Sequence, residues 1–212
     1  MIDFSRFNFN LITLIFGLIF PFQLLSQDKD IKLDSNSDLY EYEQDFLSAD
    51  FHKSRRDSLR QQLPEGSEIV FFSSSERNRS KDIYYEYHQN PNFYYLTGLR
   101  EPNSMIIIYK DSLKLDDLKY NEVLFMQNRD KSSELWNGRR LGVERARERL
   151  KIDRILTNSS FLTFDPKFDS LQAIFFDSPY PLEAGDTTST DNLNGMFHHF
   201  KKKNPIQLKS KQ

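Results

Sequence analysis

From residue 48 to residue 176 the apolar positions fall into short runs separated by stretches with helical spacing. Ser48, Ala49 and Asp50 open the first helical segment, where a Ser or Asp side chain can cap the free amides of the first turn. Phe51, Leu59 and Leu63 are placed on one face of it, and Leu63-Pro64 with Gly66 ends it. Glu68 to Phe72 (EIVFF) predicts a short buried strand. Ser104 to Tyr109 (SMIIIY) and Glu122 to Met126 (EVLFM) predict two more, both rich in β-favouring side chains. The polar stretch between them, with Lys110-Asp111 and Asp116-Asp117, is read as a turn or surface loop. Phe93 to Leu96 carries bulky apolar groups that suit another buried strand, with Thr97-Gly98 permitting a sharp exit.

Val143, Ala146 and Leu150 recur at helical spacing beneath an outer face of Glu144, Arg145, Arg147, Glu148 and Arg149. Strands are expected at Ile152 to Leu156 and at Gln172 to Phe176, with a helix between Asp165 and Leu171. Strands alternating with helices predict an α/β domain, a mixed and mostly buried β-sheet flanked by helices. From Pro179 onward the pattern weakens. Gly185 to Asn194 is polar and turn-forming, Lys201, Lys202, Lys203, Lys209 and Lys211 follow, and a strand or helix could resume at Pro205 to Leu208.

The amino terminus has a different pattern. Arg6 precedes an apolar run from Leu11 to Leu25, interrupted by Pro21 and followed by Ser26, Gln27 and Asp28-Lys29-Asp30. A membrane span needs about 20 apolar residues, and this run is shorter. A basic start, a short apolar centre and a small residue before a polar stretch make the layout of a secretory signal, with an uncleaved anchor as the alternative. The expected organisation is a signal over residues 1–26, a polar linker over 27–45, the domain over 46–180 and a polar, basic tail over 181–212. An exported product, periplasmic or extracellular, with no stable membrane span follows from that layout.

Composition narrows the function. The net charge is -2, with 29 Lys and Arg against 31 Asp and Glu, which gives no general attraction to nucleic acid. The 14% aromatic content, with 19 Phe and 10 Tyr, predicts a packed core. No cysteine is present, so thiolate chemistry and Cys-ligated zinc are excluded. The histidines are His52, His88, His198 and His199, without a His-x-x-x-His or His-Glu-x-x-His spacing among them. There is no Gly-x-Ser-x-Gly elbow and no phosphate-cradling glycine loop. No catalytic residue and no metal ligand is assigned.

The most specific stretch is Asp82 to Pro102, DIYYEYHQNPNFYYLTGLREP. An acidic residue and aromatics lead to Gln89-Asn90, then come Phe93, Tyr94, Tyr95, Leu96, Thr97 and Gly98, then Glu101-Pro102. Upstream lie Arg55-Arg56, Leu59 and Leu63-Pro64-Glu65-Gly66-Ser67; downstream lies Glu134-Leu135-Trp136-Asn137-Gly138-Arg139-Arg140-Leu141-Gly142. Three segments in this order resemble the aminopeptidase P (Xaa-Pro aminopeptidase) N-terminal domain of the creatinase/prolidase-like family, over roughly Phe51 to Phe176. His88 departs from the pattern, which more often has Arg before Gln-Asn.

The resemblance implies a domain that shapes the cleft of an enzyme removing the residue ahead of proline, and that helps to assemble a homo-oligomer. The peptides concerned would carry proline at the second position. In the family a separate catalytic domain of pita-bread fold binds two metal ions, usually manganese, through two Asp, one His and two Glu. Hard oxygen ligands suit such ions, which activate a bridging water and polarise the scissile carbonyl. That domain is not found within these residues, so the chain is expected to be a non-catalytic fragment that binds no cofactor itself. The tryptophan matching Trp136 reaches across an oligomer interface toward a neighbour's cleft in family members. Trp136, Arg139, Arg140 and Tyr94 are therefore the substrate-proximal or interface candidates, although Trp136 could equally be an ordinary core or surface residue. The arginines could pair carboxylates within the fold or across a subunit contact. A stand-alone peptide-binding or interaction module without peptidase activity is the competing reading.

Overall fold

A first helix, α1 (Ala49–Gln62), leads into a sheet that supplies the frame for everything else. The computed structural model describes residues 47–115, 118–165, 171–179, 182, 186–204 and 208–210. The signal and linker readings over 1–26 and 27–45, the Asp116-Asp117 turn and the bulk of the helix expected between Asp165 and Leu171 lie outside these residues. The strands are β1 (Ser67–Phe72), a small ribbon of β2 (Asn78–Ser80) and β3 (Ile83–Tyr84), β4 (Met105–Leu115), β5 (Leu118–Met126), β6 (Arg154–Thr157), β7 (Ala173–Phe176) and β8 (Leu208–Ser210). The remaining helices are α2 (Pro91–Thr97), α3 (Lys131–Asn137), α4 (Gly142–Arg149) and α5 (Leu193–Lys203), with a 3-10 turn at Asn158–Leu162.

Six strands form one mixed sheet in the order β6-β5-β4-β1-β7-β8. β4 pairs antiparallel with both β1 and β5, while β5–β6, β1–β7 and β7–β8 are parallel. β4 thus runs against the other five, whose carboxyl ends share one edge. Side-chain alternation divides the strands between two cores. Ile69, Phe71, Ile106, Ile108, Leu124 and Met126 face α1, α2 and α4 through Leu63, Phe93, Leu96, Val143 and Ala146. Val70, Phe72, Met105, Ile107, Val123 and Phe125 face Phe161, Phe164 and α5. Each fully buried Phe or Leu side chain in these layers stabilises the fold by roughly 1.5–3 kcal/mol.

The expected mixed sheet flanked by helices is what the chain forms, and four local readings are corrected. Phe93 to Leu96 is helical rather than a strand. The Asn90 side chain accepts from the amides of Asn92 and Phe93, Pro91 begins the helix with its φ already set, and Gly98 stops it at φ 72°. The aromatic run is core in part: Phe93 and Leu96 are buried, whereas Tyr95 is 45% exposed. Second, the deepest positions of α1 are His52 and Arg56, with Phe51 and Leu59 only half-buried. Arg56 can be buried there because a carboxylate and two carbonyls receive it, as described below. Third, Lys110-Asp111 belongs to β4, which continues to Leu115 and pairs Leu113 with Tyr120 past an irregularity. Fourth, the stretch read as a basic tail holds α5, capped by the Asn192 side chain on the Gly195 amide. Leu193, Met196, Phe197 and Phe200 recur one turn apart and are buried against the sheet, leaving Lys201, Lys202 and Lys203 in the last turn, where cations suit the helix dipole.

Candidate functional site

The signature residues act as a clamp at the carboxyl edge of the sheet. The Gln89 amide uses both ends: its Oε1 accepts from Ser74 N and Asn90 N, each at 2.9 Å. Its Nε2 donates to Leu99 O (3.1 Å) and Glu101 O (2.9 Å). Asn90 Nδ2 donates to Phe72 O at 3.1 Å, so one dipeptide ties the end of β1, the loop after it and the loop after α2. Gly98 closes the same region, since a Cβ there would sit 2.8 Å from the buried His52 ring.

Beneath the clamp lies the ion pair that α1 was built around. Arg56 Nε and Nη2 donate to the two carboxylate oxygens of Glu122 (2.8 and 3.0 Å), Nη1 to Leu96 O and Nη2 to Lys151 O (both 2.7 Å). Both side chains are almost wholly buried. Bidentate geometry, with four of the five guanidinium N–H donors used, is the condition under which a buried pair holds.

The loop carrying Arg139 and Arg140 is fixed through two successive backbone amides. Arg140 N donates to Glu134 Oε1 (3.3 Å), and Leu141 N donates to Glu101 Oε1. Glu134 is in turn held by Arg129 through two bonds of 2.8 and 2.7 Å. Those bonds hold its carboxyl below the ordinary value, while burial pushes that of Glu101 up despite the amide it accepts. Gly142 follows at φ 73°, where a Cβ would lie 2.6 Å from Arg129 Cγ.

This loop borders an open cleft of about 470 Å³ at the carboxyl edge of the sheet. Glu76 lines it from the loop after β1, Gln127 to Asp130 from the loop after β5, and Thr157 to Ser159 from the end of β6. Ser133, Arg140 and Asp191 complete it. Arg140 Nη2 stands 3.7 Å from Glu76 Oε1. Ligands of open α/β sheets gather at this edge.

Of the residues singled out from the sequence, Arg140 lines the cleft. Trp136 and Leu135 project from α3, 89% and 83% exposed, and Arg139 is exposed beside them. Tyr94 is not among the cleft residues. It packs edge-on to His52 (5.6 Å between centroids) under the Arg100 guanidinium. Glu76 and Glu122 were not anticipated, and Glu101 and Glu134 stood in the signature segments without an assigned role. Glu122 had a signal: it shares the inward side of β5 with Leu124 and Met126, so a cation had to meet it.

The histidines do not assemble a metal centre. His52 Nδ1 meets Tyr95 O and His199 Nε2 meets Thr188 O, and His198 and His199 stand edge-to-face, 5.9 Å apart. Among the described residues no group of three or more His, Asp or Glu side chains is placed to hold a metal ion, so these residues do not fit a two-metal site. No described helix is long and apolar enough to cross a membrane.

Residues 52–170 match the family model of the aminopeptidase P N-terminal domain. The Xaa-Pro aminopeptidase of Escherichia coli strain K12 is 39% identical over 113 residues, which is 53% of this chain and 25% of that protein. The Xaa-Pro aminopeptidase of Haemophilus influenzae is 32% identical over 140 residues, 66% of this chain and 31% of the relative. Among solved structures, aminopeptidase P from E. coli with the inhibitor Pro-Leu aligns with a TM-score of 0.52 at 32% identity, covering 63% of this chain and 30% of that one. The chain therefore spans between a quarter and a third of the length of these relatives.

Proposed function

This chain belongs to the aminopeptidase P N-terminal domain family, and on that premise we propose that it serves as the non-catalytic amino-terminal domain of an exported Xaa-Pro metalloaminopeptidase. In this reading the enzyme removes the first residue of peptides with proline at the second position. Catalysis, with its two manganese ions, belongs to residues outside the described domain. The apolar run Leu11 to Leu25 supports export.

The observation that carries the reading is the exposed Trp136 beside a loop whose amides are hydrogen-bonded to Glu134 and Glu101. An indole that is 89% exposed adds nothing to the core of its own domain, and large exposed aromatics mark contact surfaces. Glu134 and Glu101 hold the backbone that follows, so Trp136, Arg139 and Arg140 are presented together. Trp136 with Leu135 would meet a second copy of the enzyme, and the arginines would border the substrate cleft, pairing carboxylates there.

Purified chain incubated with manganese and an Xaa-Pro peptide should release no amino-terminal residue. Metal-dependent release would overturn the non-catalytic assignment. Alanine at Trp136 in the assembled enzyme should lower kcat/KM or weaken oligomer assembly without lowering Tm. A drop in Tm alone would make Trp136 structural.

A further inference from the structure

We propose that Arg129 is the positioning residue of α3: through Glu134 it holds this short helix, and Trp136 with it, in one orientation against the domain. α3 has no apolar anchor among its described side chains. Lys131, Ser132, Ser133, Leu135 and Trp136 are exposed, and Glu134 alone is half-buried. Neither core draws a described residue from it. A helix of seven residues is too short to stand by propensity, and helices of proteins are held chiefly by an apolar face that packs. The Asp130 side chain caps the first turn, accepting from Ser132 N (3.0 Å) and from the Ser133 hydroxyl (2.8 Å). Those bonds are internal to the turn and do not set the direction of the helix.

Glu134 joins α3 to the domain. Arg129 Nε donates to its Oε1 (2.8 Å) and Nη2 to its Oε2 (2.7 Å), a fork that fixes angle as well as distance. The two side chains are 32% and 11% exposed, which shields the pair from the screening that makes surface pairs negligible. Oε1 also accepts from Arg140 N at 3.3 Å, so the same carboxylate ties the loop that follows. Arg129 is itself braced. It comes soon after the buried end of β5, Leu124 to Met126, and its stem lies against Gly142, the first residue of α4. A Cβ at Gly142 would sit 2.6 Å from Arg129 Cγ and 3.0 Å from Cδ, so a side chain there would displace the stem. Gly138, just past Trp136, has a φ of 77° and no atom within 4 Å of where a Cβ would lie, so the chain on that side does not brace the helix.

Trp136 is the lone tryptophan, so its emission reports on this helix in the full chain without a label. Its time-resolved anisotropy separates tumbling of the whole molecule from local nanosecond motion. Arg129→Gln should move amplitude from the slow decay to the fast one. Its Tm should change by no more than about 4 °C, because α3 adds nothing described to either core. Glu134→Gln should do the same from the other side of the pair, and Arg129→Lys, which keeps the charge but not the fork, should fall between. A dilution series of each variant separates any contribution from contact between copies. Parent-like decays in folded Arg129→Gln and Glu134→Gln, with or without a lower Tm, would overturn the proposal. The consequence for catalysis rests on the peptidase reading. In the assembled enzyme Arg129→Gln should lower kcat/KM as far as Trp136→Ala does, and the double variant no further. Additive losses would overturn the claim that Arg129 acts through Trp136. A freed tryptophan with kcat/KM unchanged would sink the role given to Trp136 and uphold the positioning of α3, so the two failures are distinguishable.

Discussion

Replacing Arg56 with Met is the most informative perturbation of the fold. The side chain is fully buried and carries four hydrogen bonds, two of them to the equally buried Glu122. Met fills the volume and leaves the Glu122 carboxylate without its cation, together with the Leu96 and Lys151 carbonyls it had served. Removing one partner of a buried pair costs about 3–5 kcal/mol, and each stranded carbonyl adds about 1 kcal/mol. The sum is a large share of the roughly 5–15 kcal/mol that holds a domain of this size. The double variant Arg56→Met/Glu122→Leu removes the stranded charge and should recover several kcal/mol of that loss. Urea unfolding followed by far-ultraviolet circular dichroism is the assay, because the lone tryptophan is exposed in the folded state and reports little. A single variant that loses less than about 1 kcal/mol, as an exposed pair would, refutes the reasoning. So does a double variant no more stable than the single one.

Two further outcomes follow from buried groups. Burial pushes the Glu68 carboxyl from 4.5 up to about 8, while in the unfolded chain it ionises near its ordinary value. Its contribution to stability is complete below the unfolded pKa and is lost as pH rises through the folded one. The Tm of the parent should therefore fall between about pH 5 and about pH 8, and Glu68→Gln should flatten that slope; a parallel pH profile in the variant contradicts the assignment. Gly98→Ala places a Cβ against the His52 ring at a φ of 72° and should cost at least 1–2 kcal/mol, measured as a lower urea midpoint. An unchanged midpoint would mean that the α1–α2 contact yields.

Much of the fold was legible because its signals are local. The strand β1 follows from the short apolar run of Glu68 to Phe72, and the helix α4 from Val143, Ala146 and Leu150 at one-turn spacing. The reading failed where side-chain type and backbone signals disagreed. Phe93, Tyr94 and Tyr95 favour a strand by bulk, but Asn90-Pro91 and Gly98 bracket them as start and stop of a helix, and the cap decided. α5 was hidden by its lysines, although Leu193, Met196, Phe197 and Phe200 carry the period. The site was legible only as a sequence resemblance. Arg56 and Glu122 stand 66 residues apart, and the bonds from Arg140 and Leu141 to Glu134 and Glu101 join a helix and a loop that no pattern along the chain connects.

Grafting residues 47–204 in place of the matching amino-terminal part of the E. coli Xaa-Pro aminopeptidase asks directly whether this domain supports the peptidase. The graft should release the first residue of an Xaa-Pro peptide in a metal-dependent reaction, with kcat/KM within about tenfold of the parent enzyme. A graft that is folded and assembled like the parent, yet inactive at every metal concentration, would contradict the account.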